Sequence, residues 1–279
     1  MSNKHYAIAL ILLLLLTGLS FVLLMDNKTF EPAPLGDCGS EVPGRIFEKA
    51  TSEQLQAVND LYTSFSTEGF EFTDHKQLTC LYLSSSRHQG YFLLGKGPSK
   101  PKLFLQATHT HNDLFTGQIL LNLMSGMSHT IGYMASISRA VTDSSTDPTL
   151  LNKVALDLMI ENKELIAIQL HGFARGKRQT EAGLQADMII SSGHSMASDA
   201  TKKLYQCLDS RFENVYLYGT NVSELGGTQN FLNKSVRAEG ISDKFIQVEL
   251  SYETRIGLLS DKERSKSFRA CLGELMHEG

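Results

Sequence analysis

The sequence lacks any strong excess of charge of one sign, with 26 Lys+Arg against 30 Asp+Glu and a formal net charge of -4. No global positive field draws such a chain to nucleic acid or to anionic lipid, so a nucleic-acid partner is not expected. Cysteine is scarce as well. Four cysteines in 279 residues are too few for a disulfide-built miniprotein. None falls in the Cys-x-x-Cys spacing of a zinc ribbon or redox site. Beyond Glu48 there is no internal repeat and no low-complexity block. A composition of 42% hydrophobic, 20% charged and 8% aromatic residues excludes intrinsic disorder and collagen-like repetition. The chain is long enough to bury a sizeable core, and that core must carry the fold.

One long apolar run is present. Lys4 and His5 precede AIALILLLLLTGLSFVLLM, from Ala7 to Met25. Its length approaches the roughly 20 residues that cross a bilayer as a helix, and no small-x-small cleavage site or lipobox cysteine follows. Residues 1–25 read as a signal anchor or signal peptide, with the uncleaved anchor favoured. Lys4 stays on the cytoplasmic side by the positive-inside tendency, so the chain after Asp26 is expected to be extracytoplasmic (periplasmic). It would be anchored in the inner membrane or secreted, touching the membrane through this segment only. In that compartment Cys38, Cys80, Cys207 and Cys271 can form up to two bridges in three connectivities, all open at this point. Residues 26–47, with the stretch EPAPLG, read as a linker and residues 48–279 as one catalytic-size domain.

Within that domain TSEQLQAVNDLYTSF opens with a capping-box-like start and sets Leu55, Val58, Leu61 and Tyr62 at helical spacing. The runs KLFLQA, TIGYMAS, LIAIQL, DMIIS, NVYLY and FIQVEL have strand length and β-branched content. Between them LFTGQILLNLMSG, PTLLNKVALDLMIEN and MASDATKKLYQCLDSRF read as helices. Strands alternating with helices imply an α/β fold with a largely parallel mixed sheet covered on both faces. Chemistry in such sheets gathers at the carboxyl ends of the strands.

Three strand-like runs end in reactive side chains. KLFLQA leads into Thr108-His109-Thr110-His111-Asn112-Asp113, LIAIQL into His171-Gly172, and FIQV into Glu249. Imidazole nitrogen and carboxylate oxygen are zinc ligands, and a catalytic zinc keeps one position open for water. A nearby carboxylate that is not a ligand then serves as general base, a role that suits Glu249. Arg255, six residues after Glu249, and Arg139, in SISRAVTDSSTD, are candidates to grip a substrate carboxylate through a bidentate fork. Arg175 and Arg178 read as solvated surface residues. A rival reading takes Gly193-His194-Ser195-Met196-Ala197 as a nucleophile elbow with Ser195 as the nucleophile of a serine hydrolase. Only about 23 residues separate His171 from Ser195, too few for the strands and helix that such a fold inserts there. A helix N-cap is the plainer reading of Ser195. A non-catalytic envelope binding domain is the third alternative.

The segments ATHTHNDLFTGQI, IQLHGF, DMIISSG, LGGTQNFLN and FIQVELSYETR, in that order between Leu103 and Arg255, resemble the N-formylglutamate amidohydrolase group. These are zinc hydrolases related in fold to zinc carboxypeptidases and aspartoacylase. The resemblance implies a three-layer α/β/α sandwich and a Zn2+ held by His109, Asp113 and His171, with His111 as an alternative early ligand and Glu249 as the base. With Arg255 beside such a site in an extracytoplasmic protein, the expected reaction is hydrolysis of an amide or peptide bond near a carboxylate, in an N-acyl amino acid or an envelope peptide. Where that group usually shows a His-Ser-His-like triplet this chain has His171-Gly172-Phe173, so the resemblance extends to fold and metal site and not to N-formylglutamate itself.

Overall fold

A computed structural model of the protein describes residues 70–75, 78–83, 90–95 and 100–277 together with Glu53 and Ala57, all within the compact unit Pro32–Gly279. The apolar run from Ala7 to Met25, the linker 26–47 and all but Glu53 and Ala57 of the helix expected over 51–65 lie outside the described residues. Those two positions are helical. Among the described residues no helix is long and apolar enough to cross a membrane.

The described strands are β1 (Phe70–His75), β2 (Leu78–Leu83), β3 (Gly90–Gly95), β4 (Leu103–Ala107), β5 (Thr130–Ala135), β6 (Ile166–Phe173), β7 (Met188–Ser191), β8 (Val215–Leu217) and β9 (Phe245–Ser251). They form one nine-stranded sheet in the order β1-β2-β3-β5-β4-β6-β9-β7-β8. At its centre β5, β4, β6 and β9 run parallel. The sheet is less parallel than the strand–helix alternation suggests. β1, β2 and β3 are an antiparallel meander that joins β5 antiparallel, and β7 meets β9 antiparallel before pairing parallel with β8. The connections between β1, β2 and β3 are much shorter than the dozen or so residues that a parallel crossover needs, so these strands can pair only as hairpins.

The central strands are buried on both faces, as parallel strands under helices must be. Along β4, Leu103, Leu105 and Ala107 enter one core while Phe104 enters the other. The first core is closed by α1 (Thr116–Met124), α4 (Asp199–Asp209), α6 (Tyr252–Ser260) and α7 (Lys262–Glu274), which contribute Ile119, Leu204, Leu258 and Phe268 among others. The second is closed by α2 (Leu150–Glu161) and α5 (Phe231–Ala238) through Val154, Leu158, Leu232 and Val236. A short α3 (Glu181–Gln185) precedes β7. The result is a mixed sheet between two helical layers. Cys207 on α4 and Cys271 on α7 form a disulfide with Cα atoms 5.6 Å apart, and Cys80 is disulfide-bonded too. Of the three connectivities open to four cysteines, the Cys207–Cys271 bridge belongs to one. Its sequence separation of 64 residues corresponds to about 4 kcal/mol of lost unfolded-chain entropy.

The segment VELSYETR runs from strand directly into helix. Ser251 closes β9 and caps α6 by accepting the Thr254 N–H, so Arg255 stands in the first turn of a helix. That short turn brings its guanidinium back over the edge of the sheet.

Candidate metal centre

Because β4, β6 and β9 are neighbours in parallel, their carboxyl ends open on one edge. Their side chains on the α2/α5 face fall into rows set by the register. Phe104, Ala167 and Phe245 make an apolar row, and Gln106, Gln169 and Gln247 make a row of amides. His171 pairs with Glu249 in the next row, with Thr108 just beyond β4. The reactive side chains thus stand on a rigid, fully buried platform.

After β4 the chain turns helically. The Asn112 and Asp113 N–H groups both donate to the His109 carbonyl, at 2.9 and 2.7 Å. This turn places the Asp113 carboxylate beside the His109 ring. Asp113 Oδ2 lies 3.5 Å from His109 Nδ1 and 3.4 Å from His171 Nδ1. The three ligand atoms all lie within 4.8 Å of one another, and all three residues are buried. Zinc–nitrogen and zinc–oxygen bonds of roughly 2.0–2.1 Å in a tetrahedron put neighbouring ligand atoms about 3.4 Å apart, which matches the two distances to Asp113. His109 Nδ1 is buried and makes no hydrogen bond. A bare, buried imidazole nitrogen facing a carboxylate is costly unless a cation lies between them, so the donor set fits a metal ion.

The opposite nitrogen of each ring has a partner. His109 Nε2 donates to Asp143 Oδ1 at 2.8 Å, and Asp143 also accepts from the Ser145 N–H at 3.0 Å and from Arg139 Nε at 2.8 Å. A carboxylate behind a metal-binding histidine fixes its tautomer and raises its basicity. Asp143 was not singled out by the sequence, although it shares the segment SISRAVTDSSTD with Arg139. His171 Nε2 lies 3.3 Å from both Thr108 Oγ1 and Gln169 Oε1.

These contacts set the charges. Burial disfavours the charged form of His109, but the neighbouring Asp113 and Asp143 carboxylates outweigh it and raise its pKa above the usual value. Burial also works against ionised Asp113, yet the adjacent His109 and His171 rings hold its pKa well below the carboxylate range. Without metal, His109 therefore holds a proton to higher pH than a free imidazole. A metal must displace that proton, so its apparent affinity should fall by about tenfold for each pH unit below the His109 pKa and level off above it. Chelator competition across that range measures this. A flat profile would mean that the ion binds elsewhere.

Glu249 lines the same cleft, of about 700 Å³, and is itself buried. Burial first, then the neighbouring Asp113 charge, pushes its pKa up. Its Oε1 accepts from Gln247 Nε2 at 2.8 Å. Arg255 lines the cleft but is already engaged, donating from Nη1 to the Leu114 carbonyl at 2.5 Å, from Nη2 to Phe173 O at 3.4 Å and from Nε to Ser251 O at 3.3 Å. It ties the loop after β4 to the ends of β6 and β9. Gly172 is what lets it lie there, since a Cβ on Gly172 would meet the guanidinium carbon at 2.6 Å. Arg139 is half exposed at the cleft wall, with Nε on Asp143. Lys177 and Arg178 also line the cleft. Arg178 is close to Glu224 and mostly buried, unlike the solvated residue expected, and Arg175 is ion-paired with Asp187.

His111 faces the other way. Its Nε2 is 3.1 Å from the Ser136 carbonyl, and it lines a separate cavity of about 220 Å³ with Tyr91, Phe115 and Met134. Residues two apart in a helical turn lie about 200° apart around its axis, so His109 and His111 face opposite ways and cannot hold one ion. Ser195 is exposed in a bend, and the residue that caps α4 is Ser198, which accepts the Thr201 N–H. Among the described residues no hydrogen bond joins Ser195 to a histidine; His194 Nδ1 accepts from the Met196 N–H instead.

No protein-family model matches the chain, and no curated protein matches it. Solved structures do show a likeness. An N-formylglutamate amidohydrolase from Ralstonia eutropha JMP134 is similar at 10% identity and a TM-score of 0.45, over 67% of this chain and 95% of that one. A succinylglutamate desuccinylase from Chromobacterium violaceum gives 13% identity and a TM-score of 0.44 over 80% and 73%. The zinc-free structure of YNDL gives 17% identity and a TM-score of 0.42 over 65% and 86%. These neighbours include the group that the sequence segments resemble, at low sequence identity.

Proposed function

We propose that this protein is a zinc-dependent hydrolase that cleaves an amide or peptide bond close to a carboxylate. The observation that carries the reading is the buried His109, Asp113 and His171 set with Glu249 in register beside it, open to a cleft. A zinc ion held by those three residues supplies Lewis acidity, which lowers the pKa of water and polarises a carbonyl. Glu249 takes the proton of the attacking water and passes it to the leaving nitrogen. Its raised pKa keeps it closer to neutrality, where a residue that must both accept and donate works best. Asp143 holds His109 in the tautomer that presents Nδ1.

Arg139 and Arg255 are assigned to the substrate carboxylate. Arg139 lines the cleft and spends only its Nε on Asp143, and Arg255 keeps the N–H groups that the three backbone carbonyls do not use. N-acyl amino acids and envelope peptides carry the required carboxylate and amide. The Cys207–Cys271 disulfide and the apolar run Ala7 to Met25 support placing the domain outside the cytoplasm, where such peptides occur. The test compares a free-acid substrate with its amide-capped twin. Capping and Arg139→Ala should each lower kcat/KM by about tenfold or more, without adding. Fully additive losses would assign Arg139 only to holding Asp143.

A further inference from the structure

The row of amides beneath the centre has one feature that the metal ligands do not explain. Asn230, the first residue before α5, accepts the Asn233 backbone N–H on its Oδ1 at 3.3 Å. A backbone N–H can only donate, so the Asn230 side chain cannot be turned over. Its Nδ2 then points into the sheet and donates to Gln169 Oε1 at 2.6 Å. That contact in turn orients Gln169, whose Nε2 donates to Gln106 Oε1 at 2.7 Å. The same Gln169 Oε1 lies 3.3 Å from His171 Nε2. An amide oxygen only accepts, so the Gln169 contact requires a hydrogen on His171 Nε2 and leaves Nδ1, the atom 3.4 Å from Asp113 Oδ2, as the nitrogen for the metal. Thr108 Oγ1, at the same distance from Nε2, can donate or accept and decides nothing. All of these side chains are buried, so water does not compete for the bonds.

We infer that Asn230 and Gln169 form a relay, anchored on a backbone N–H at the start of α5, that sets the tautomer of His171 for metal binding. The two are positioning residues. Asp143 does for His109 with a charge what Gln169 does for His171 without one. The relay also gives a reason for the sequence LGGTQNFLN to place an asparagine at this cap, because serine would cap the helix equally well but could not reach Gln169. The inference rests on the metal-site reading, and one of its tests does not need the metal.

The test uses two substitutions of opposite polarity in the full-length protein. Asn230→Asp keeps the helix cap but turns an acceptor toward Gln169, whose amide must invert and offer its N–H to His171. Gln169→Glu leaves only acceptors facing His171. In metal-free protein labelled with 15N-histidine, a long-range proton–nitrogen correlation reads which His171 nitrogen is protonated, with the signal assigned by its loss in His171→Gln. Wild type and Gln169→Glu should keep a hydrogen on Nε2, and Asn230→Asp should lose it, leaving Nδ1 as the only protonated nitrogen. Zinc affinity by chelator competition should fall about 10- to 100-fold in Asn230→Asp and hold or rise in Gln169→Glu. An unchanged tautomer and affinity in Asn230→Asp overturns the relay, as does equal weakening by both variants, which would reveal packing alone. If Asn230→Asp does not fold, Gln169→Met, which removes the acceptor at similar volume, must lose the Nε2–H preference, and its retention overturns the inference. Wild type with Nε2 protonated but no zinc affinity would support the relay and count against the metal reading.

Discussion

Glu249→Gln should bind metal as the wild type does and hydrolyse substrate about 10²- to 10⁴-fold more slowly, the usual loss when a general base is removed. Glu249 is outside the ligand set, so the exchange of a carboxylate for an amide leaves His109, Asp113 and His171 intact. The glutamine has the same shape and still offers an oxygen to Gln247 Nε2, which donates to Glu249 Oε1 at 2.8 Å. Its burial means that water cannot replace the missing base. Metal content and Tm should therefore stay near wild type while kcat falls. A variant that keeps both its metal and its turnover would move the base to another residue.

The second large effect is loss of the metal itself. His171→Ala removes one of the three proposed ligands and leaves Asp113 with a single imidazole neighbour. The variant should retain less than about a tenth of the wild-type metal after dialysis, with activity lost in proportion. His111→Ala is the informative partner. His111 lines the cavity on the other side of the turn and bonds the Ser136 carbonyl, so its removal should leave metal content unchanged. Equal metal loss in both variants would put His111 in the ligand set.

The central strands were legible because parallel strands under two helical layers must be apolar on both faces, and KLFLQA, LIAIQL and FIQVEL are continuous enough to show it. The residues that follow or close those runs, His109, His171 and Glu249, stood out for the same reason. Other features were hidden by the same pattern. Gln106, Gln169 and Gln247 read as interruptions in apolar runs, and only the register reveals that they align into one buried row. β1 and β2, with the sequences FEFTDH and LTCLYL, mix polar and apolar residues as edge-region strands do and gave no continuous run. Asp143 reaches His109 across 34 residues of sequence, a contact that no local spacing encodes. Arg255 looked like a free fork, and its use of three backbone carbonyls depends on where the loop after β4 and the end of β6 come to lie.

The ligand set is tested most directly by the metal content of the protein purified without chelators. One divalent ion per chain, removed by chelation with loss of hydrolysis and restored by zinc, is the predicted result. No stoichiometric metal after mild purification, and no binding or activity gained when zinc is added, would contradict it.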